Sequence, residues 1–111
     1  RRSREIPNAI AAYQAAHDRK DVATALAQFT LDARVVDDGR TYEGIDGVET
    51  FLRKAGSEYT YTRTLISAEE VSANCWRVTN RLEGNFPGGQ VDLSYEFHLE
   101  GELIVRLIIA P

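Results

Sequence analysis

The sequence predicts an α+β fold, in which a curved, cone-shaped antiparallel sheet wraps over three helices from the N-terminal half of the chain. Apolar residues recur at helical spacing through much of that half, and the period then changes to the two residues of β-strands. Helices that are separated in sequence from an antiparallel sheet are typical of this class. The 111 residues predict a single domain, residues 1–111, with a radius of gyration of about 13 Å.

Two helices are predicted at the start of the chain. The first is indicated by residues at helical spacing, namely Ile6, Ile10, Tyr13 and His17. Ser3 is its candidate cap, and Pro7 is compatible only with its first turn. The second helix follows Asp21, a favoured N-cap residue, and its predicted apolar face consists of Val22, Ala25, Leu26 and Phe29.

A short strand and a third helix are predicted next. Residues 33–39 form the strand and end in a turn at Gly39, and residues 41–43 are a short segment available for pairing. The helix is predicted to start near Asp46, whose spacing to Glu49 fits a capping box, and to end at Gly56. Its predicted apolar face consists of Val48, Phe51, Leu52 and Ala55.

The rest of the chain predicts strands joined by turns. Residues 59–67 are rich in Tyr, Thr and Ile, and residues 75–83 alternate, with one face formed by Trp76, Val78, Asn80 and Leu82. After a turn at residues 85–89, a second alternating strand has one face formed by Val91, Leu93, Tyr95, Phe97 and Leu99. Residues 103–109 are apolar on both faces except at Arg106, which predicts cover by helices on one side and by a second subunit on the other.

Composition and charge exclude several functions. A net charge of -4 opposes nucleic-acid binding, and we interpret the basic cluster of Arg1, Arg2 and Arg4 as a solvated terminus. The longest apolar stretch, residues 103–110, is far shorter than the roughly 20 residues of a membrane span, so no membrane partner is expected. A single cysteine, Cys75, favours a cytoplasmic setting. Because no phosphate-binding glycine loop and no zinc-ligand spacing occurs, we expect neither a cofactor nor a metal.

Asp37 is the residue that most clearly suggests chemistry. It ends an apolar strand, and if its side chain faces inward, desolvation would raise its pKa and make it a base near neutral pH. Tyr13 and Tyr95 lie on predicted core faces, where buried phenols can donate hydrogen bonds to a developing oxyanion. One carboxylate base with two phenol donors suits proton abstraction next to a carbonyl.

These residues also have structural interpretations. Asp37 could cap the turn at Gly39, or Asp38 could be the inward carboxylate, and both tyrosines could be ordinary core aromatics. We interpret His17 as completing a helix face near solvent, and His98 as a strand residue without partners. Cys75 is interpreted as a buried, inert thiol, since no histidine lies at a catalytic spacing from it in the sequence.

Several segments together resemble the nuclear transport factor 2-like superfamily, and more narrowly its bacterial polyketide-cyclase-like and ketosteroid-isomerase-like members. They are residues 11–21, 29, 32–37, 42–44, 48–51 and 95–99, followed by Gly101 and the last apolar strand. The resemblance covers nearly the whole chain and implies a cystatin-like cone. The same fold carries isomerases, cyclases, dehydratases, epoxide hydrolases and non-catalytic modules.

The resemblance to ketosteroid isomerase assigns roles to particular positions. That enzyme uses an aspartate base, with a tyrosine and a protonated aspartic acid as oxyanion donors. The resemblance places its base at Asp37, which favours Asp37 over Asp38 as the inward carboxylate, and its helix-one tyrosine at Tyr13. Tyr95 stands at the position of the protonated aspartic acid, and Leu52 at that of a supporting tyrosine.

The predicted function is that of a domain with an apolar pocket that binds a hydrophobic small molecule. If the domain is catalytic, we expect an isomerase or cyclase that transfers a proton next to a carbonyl, with Asp37 as the base and Tyr13 and Tyr95 as hydrogen-bond donors. The predicted ligand contacts are Trp76, Val78, Asn80, Leu82, Leu93 and Phe97. The alternative is a non-catalytic ligand-binding or dimerisation module, and a homodimer through the sheet is expected in either case. Binding of a protein cargo is a third hypothesis, which rests on the resemblance alone.

Overall fold

The computed structural model describes residues 6–58 and 60–111, and it contains three helices and six strands within those ranges. The predicted cap Ser3 and the basic cluster of Arg1, Arg2 and Arg4 lie outside the described residues. The elements in chain order are α1 (Asn8–Asp18), α2 (Val22–Leu26), β1 (Phe29–Asp37), β2 (Arg40–Glu43), α3 (Gly44–Glu58), β3 (Tyr61–Ser72), β4 (Cys75–Gly84), β5 (Gln90–Glu100) and β6 (Leu103–Ala110).

The six strands form one sheet in the order β2-β1-β6-β5-β4-β3. Four of the five pairings are antiparallel, whereas β1 and β6 run parallel, with Val35 opposite Leu107 and Asp37 opposite Ile109. Parallel strands need a long crossover connection, and here α3 and four further strands separate β1 from β6 in the chain. The α+β prediction is confirmed, and the sheet is mixed because of this one pair.

The helices cover one face of the sheet and supply a large part of the core. Ile10 and Tyr13 of α1 and Val48, Phe51 and Leu52 of α3 are almost completely buried. The sheet contributes the side chains of its inner face, including those of Ala33, Val35, Trp76, Val78, Phe97, Ile104 and Leu107. The predicted apolar faces therefore pack against one another, and the radius of gyration is 13.2 Å, as expected for this chain length.

Two predicted element boundaries are wrong. Phe29 was assigned to the second helix, but α2 ends at Leu26 and Phe29 begins β1, where it pairs with Ile104. The residue is buried in either arrangement, so its apolar spacing could not distinguish them. Gly56 does not end the third helix, which runs from Gly44 to Glu58 because its hydrogen-bonded turns continue past the glycine.

Other boundaries agree closely with the sequence. Asp21 caps α2, since its Oδ1 accepts a hydrogen bond from the backbone N–H of Thr24 at 3.1 Å. β1 and β3 are longer than predicted, and β4, β5 and β6 occupy the predicted segments. Within the described part of the chain, no helix combines the length and the apolar character needed to cross a membrane.

A polar cluster around Arg63 joins α1 to the far edge of the sheet. The Arg63 guanidinium donates to both carboxylate oxygens of Asp18, with Nη2–Oδ2 at 2.8 Å and Nε–Oδ1 at 3.0 Å. Its Nη1 also donates to Gln14 Oε1 at 3.4 Å and to Asn80 Oδ1 at 3.3 Å. Gln14 and Asn80 are buried, so Arg63 satisfies acceptors that water does not reach.

We expect Arg63→Met to lower the free energy of unfolding by about 1–3 kcal/mol, because two buried amide oxygens and Asp18 would lose their donor. The matched control is Arg53→Met, which removes an exposed pair with Glu49 at 2.7 Å and should cost less than about 1 kcal/mol. Urea unfolding followed by circular dichroism measures both variants. Equal losses in the two variants would contradict a structural role for the Arg63 cluster.

Candidate functional site

A cavity of about 320 Å³ lies between the helices and the inner face of the sheet. Its volume is within the range of small-molecule sites in proteins. The helices contribute Tyr13, His17 and Phe51 to its wall, and much of the opposite wall is apolar and comes from Leu82, Leu93 and Ile109 of the sheet. Phe86 and Pro87, in the turn between β4 and β5, complete one side.

Asp37 lies in the wall of this cavity at the end of β1. The alternation of β1 buries Ala33 and Val35 and directs Asp37 to the same face, opposite Ile109 of β6. Asp38 is exposed and belongs to the turn that follows, with a left-handed φ of 54°. Of the two carboxylates that the sequence left open, the inward one is therefore Asp37.

Tyr13 brings a buried phenol to the cavity. The residue is 1% exposed, and its hydroxyl has no hydrogen-bond partner among the described residues. Burial raises the pKa of Tyr13 well above its ordinary value, and the nearby Tyr95, Tyr61 and Asp37 add to the rise. The hydroxyl therefore keeps its proton at neutral pH and can donate a hydrogen bond to an acceptor in the cavity.

Tyr95 and Tyr61 add two further phenols to the cavity wall. Burial is the main cause that raises the pKa of each, and the negative charge of Asp37 contributes to both. Tyr95 is on β5 and stacks on Phe97, with ring centroids 6.2 Å apart. Tyr61 was not among the predicted site residues, because its place at the start of β3 gave no sign that it faces inward.

His17 also lines the cavity, and the sequence analysis missed it as a site residue. Its ring stacks between Tyr13, with centroids 5.7 Å apart, and Phe51, with centroids 6.4 Å apart. Burial lowers its pKa, the charges of Lys20 and Arg63 lower it further, and only Asp18 acts in the opposite direction. The spacing of four residues from Tyr13 was a usable signal, because it places both side chains on one helix face.

The structure separates the predicted ligand contacts into two groups. Leu82 and Leu93 line the cavity, whereas the other four are buried in the core and do not form part of its wall: Trp76, Val78, Asn80 and Phe97. All six face inward, as alternation predicts. The two groups differ in their position along the strands. Phe97 contacts Tyr13 of α1, with ring centroids 5.8 Å apart, and Asn80 binds Arg63, so neither side chain reaches the cavity wall.

The outer face of the sheet holds a second group of polar side chains. His98, interpreted above as having no partners, lies with Nε2 2.7 Å from Glu96 Oε2 and 4.0 Å from Cys75 Sγ. Cys75 is buried and is opposite His98 in the register of β4 and β5. The expectation that His98 has no partners is therefore wrong. Glu96 precedes it by two residues on the same strand face, and strand pairing brings Cys75, 23 residues away in sequence, opposite it.

Comparison with known proteins identifies the family. Residues 1–89 match the family described as SnoaL-like domain, and the chain belongs to this family of the nuclear transport factor 2-like superfamily. Among curated proteins, no significant match to the chain was found. A putative polyketide cyclase from Sinorhizobium meliloti is 26% identical, with 95% of each chain covered and a TM-score of 0.87.

Other solved structures share the fold at lower identity. A protein from Catenulispora acidiphila with a ketosteroid isomerase-like fold, in complex with trimethylamine, is 17% identical with a TM-score of 0.83, over 96% of this chain and 87% of that one. A Mycobacterium tuberculosis protein in complex with estradiol-17beta-hemisuccinate is also 17% identical, with a TM-score of 0.77, over 93% of this chain and 90% of that one. These similarities establish the cone-shaped fold that the sequence predicted.

The lowered pKa of His17 predicts how stability depends on pH. A histidine that is neutral in the folded state stabilises the protein above its unfolded pKa of about 6.5, and this contribution is lost as the pH falls through the lower folded pKa. We expect the His17 signal in an NMR titration to have a midpoint below about 6.5. The free energy of unfolding should fall as the pH is lowered through this range.

The matched variants are His17→Gln and His98→Gln. The first should remove the low-titrating NMR signal and flatten the pH dependence of stability, and the second should retain both. A His17 midpoint above the ordinary value would show that the ring is more solvated, or closer to acidic groups, than the structure indicates.

Proposed function

We propose that the protein binds a hydrophobic small molecule with a carbonyl group in the cavity and transfers a proton next to that carbonyl. The observation that carries the proposal is that Asp37, Tyr13 and Tyr95 line one largely apolar cavity. Among related folds, the M. tuberculosis protein is seen with an estradiol derivative, and a computationally designed protein with 18% identity and a TM-score of 0.76, over 93% of this chain and 88% of that one, is a 17-OHP binder. Both support a ligand of this class.

In the proposed reaction, the Asp37 carboxylate takes a proton from the carbon next to the carbonyl. The electrons of that C–H bond move to the carbonyl oxygen, which becomes an enolate oxygen and accepts hydrogen bonds from Tyr13 and Tyr95. In an isomerase, Asp37 returns the proton to another carbon of the conjugated system. In a cyclase, the enolate carbon attacks a second carbonyl of the same molecule, and the resulting alkoxide takes up the proton.

The electrostatics of the cavity support hydrogen-bond donation by both phenols. Because burial raises the pKa of Tyr13 and of Tyr95, each hydroxyl is protonated before the reaction and can donate a hydrogen bond to the forming enolate oxygen. The hydroxyl of Tyr13 has no partner to give up among the described residues, so it can bind the oxygen without first breaking a hydrogen bond. A preorganised donor of this kind contributes most in a site with few water molecules.

The test is an assay of β,γ-unsaturated ketones and of flexible diketones with the wild-type protein and three variants. We expect Asp37→Asn to lower kcat by about 10²–10⁴-fold, because it removes the base. Tyr13→Phe should lower kcat by about 10²–10³-fold, because it removes a donor to the enolate. Asp38→Asn is the matched control, since this exposed carboxylate does not line the cavity, and it should leave kcat unchanged.

Calorimetric titration with a phenolic steroid separates binding from chemistry. The phenolate of such a ligand resembles the enolate, so Tyr13→Phe should weaken its binding while Asp38→Asn should not. If the wild-type protein binds the ligand but turns over no ketone of the panel, the non-catalytic ligand-binding module is the correct function. If it does neither, the proposal of a small-molecule site is wrong.

We also propose that the protein forms a homodimer through the outer face of the sheet. This face alternates charge, with Arg81 paired to Asp92 at 2.9 Å and Arg77 near Glu69 at 3.7 Å, so that two copies related by a two-fold axis can match opposite charges. On this face, the β6 residue Ile108 is only half-buried. A second copy would cover this apolar residue of β6.

Sedimentation velocity tests the dimer. We expect a species of twice the 12.4 kDa chain mass, which Ile108→Glu should convert to monomer by placing a charge in the interface. Ala15→Glu, on the exposed side of α1, is the control and should remain dimeric. Circular dichroism confirms that each variant is folded, and a wild-type protein that sediments as a monomer would refute the dimer.

A further inference from the structure

Three potential metal ligands of different types converge on the outer face of the sheet. The thiol of Cys75, a carboxylate oxygen of Glu96 and a ring nitrogen of His98 all lie within 4.8 Å of one another. Cys75 is 9% exposed, and the side chains of Glu96 and His98 are 33% and 29% exposed. In the single chain the group is therefore partly shielded from bulk water but accessible to an ion. Ile108, which the proposed dimer would cover, is directly opposite Glu96 in the register of β5 and β6, so the two proposals concern neighbouring parts of one face.

The geometry of this cluster does not suit a thiol nucleophile. In a Cys–His–carboxylate relay, the sulfur and the carboxylate contact different nitrogens of the ring. Here both approach the same atom: Nε2 of His98 lies 4.0 Å from Cys75 Sγ and 2.7 Å from Glu96 Oε2. Burial and Glu96 also raise the pKa of Cys75, which opposes a reactive thiolate in the absence of a cation.

Convergence of sulfur, nitrogen and oxygen on one point is the arrangement of a metal site. We propose that Cys75, Glu96 and His98 bind a zinc-class divalent cation, with a fourth position left for water or another ligand. Tetrahedral zinc holds such ligand atoms about 3.4–3.6 Å apart. To reach this geometry, the 4.0 Å separation of Cys75 Sγ from His98 Nε2 would shorten by about 0.5 Å and the 2.7 Å separation of Glu96 Oε2 from Nε2 would lengthen by about 0.7 Å. The sulfur and the carboxylate oxygen, which lie within 4.8 Å of each other, would approach by up to about 1.2 Å.

The strands hold the ligands in place before any ion binds. Cys75 and His98 are directly opposite each other in the register of β4 and β5, and Glu96 is two residues from His98 on the same face. Such a pair of strand positions places Cβ atoms about 4.5–5.5 Å apart, which is short enough for one ion to join the two side chains. The neighbouring Trp76 and Phe97 point to the opposite face and are buried in the core. The site is thus separate from the cavity.

The surrounding charges are compatible with a bound cation. Arg77 lies 4.0 Å from Glu96 Oε1 and 3.7 Å from Glu69, and Arg106 is opposite His98 in the register of β5 and β6. A divalent cation with one thiolate, one carboxylate and one neutral imidazole has no net charge, so the two arginines do not oppose the assembled site. Burial and Glu96 raise the pKa of Cys75 overall, and the two arginines partly offset that rise.

The test begins with Co²⁺, which occupies zinc sites and reports its ligands by absorption. The full chain, kept reduced, is titrated with Co²⁺ and then with Zn²⁺. We expect a thiolate-to-cobalt charge-transfer band in the near ultraviolet with d–d bands in the visible, one ion per chain, and loss of the bands when Zn²⁺ displaces Co²⁺. Absence of the charge-transfer band would overturn the proposal, whether or not the protein has enzyme activity.

Three variants and a control identify the ligands. Cys75→Ser should abolish the charge-transfer band, and His98→Gln and Glu96→Gln should each weaken Zn²⁺ binding at least about tenfold by calorimetry. Glu69→Gln is the matched control, because Glu69 is a neighbouring carboxylate outside the cluster, and it should bind like the wild type. Unchanged Zn²⁺ affinity in folded Cys75→Ser and His98→Gln proteins would also overturn the proposal.

Discussion

The contact between α1 and the inner face of the sheet, made by the ring of Tyr13, is the interaction on which the rest of the structure depends. The ring meets Phe29 of β1 and Phe97 of β5 edge-on, with centroids 5.6 Å and 5.8 Å apart. Those two strands flank β6, so the Tyr13 ring of α1 packs against strands on both sides of β6. The same ring lines the cavity together with His17 and Phe51, so its packing contributes to both the core and the candidate site.

Burial in this cavity favours the uncharged forms of its three tyrosines and of His17. It raises the pKa values of Tyr13, Tyr61 and Tyr95 and lowers that of His17. Each shift has the same cause, because a charged group loses hydration when apolar side chains surround it. Among the described side chains, the cavity wall thus combines hydrogen-bonding phenols and one imidazole with one carboxylate, Asp37, as the proposed carbonyl ligand requires. The strongly charged Arg63–Asp18 pair lies outside the cavity wall and stabilises the contact of α1 with β3.

The two faces of the sheet carry different chemistry because neighbouring strand residues point in opposite directions. Trp76 and Phe97 belong to the core, whereas the adjacent Cys75 and His98 belong to the outer cluster. The side chain of a residue at the centre of this sheet therefore contacts groups on one face and none on the other. The proposed ion site and the proposed catalytic site are physically separate for this reason, and each can be present without the other.

Local pattern determined much of the fold and part of the candidate site. The helical and two-residue periods predicted the α+β class, and the family resemblance favoured Asp37 over Asp38 as the inward carboxylate. Periodicity reports which face a side chain occupies, but not which distant residue stands opposite it, because strand register depends on long-range pairing. Only the tertiary structure could therefore show the parallel pairing of β1 with β6, the binding of Asn80 by Arg63, and the meeting of Cys75 with His98.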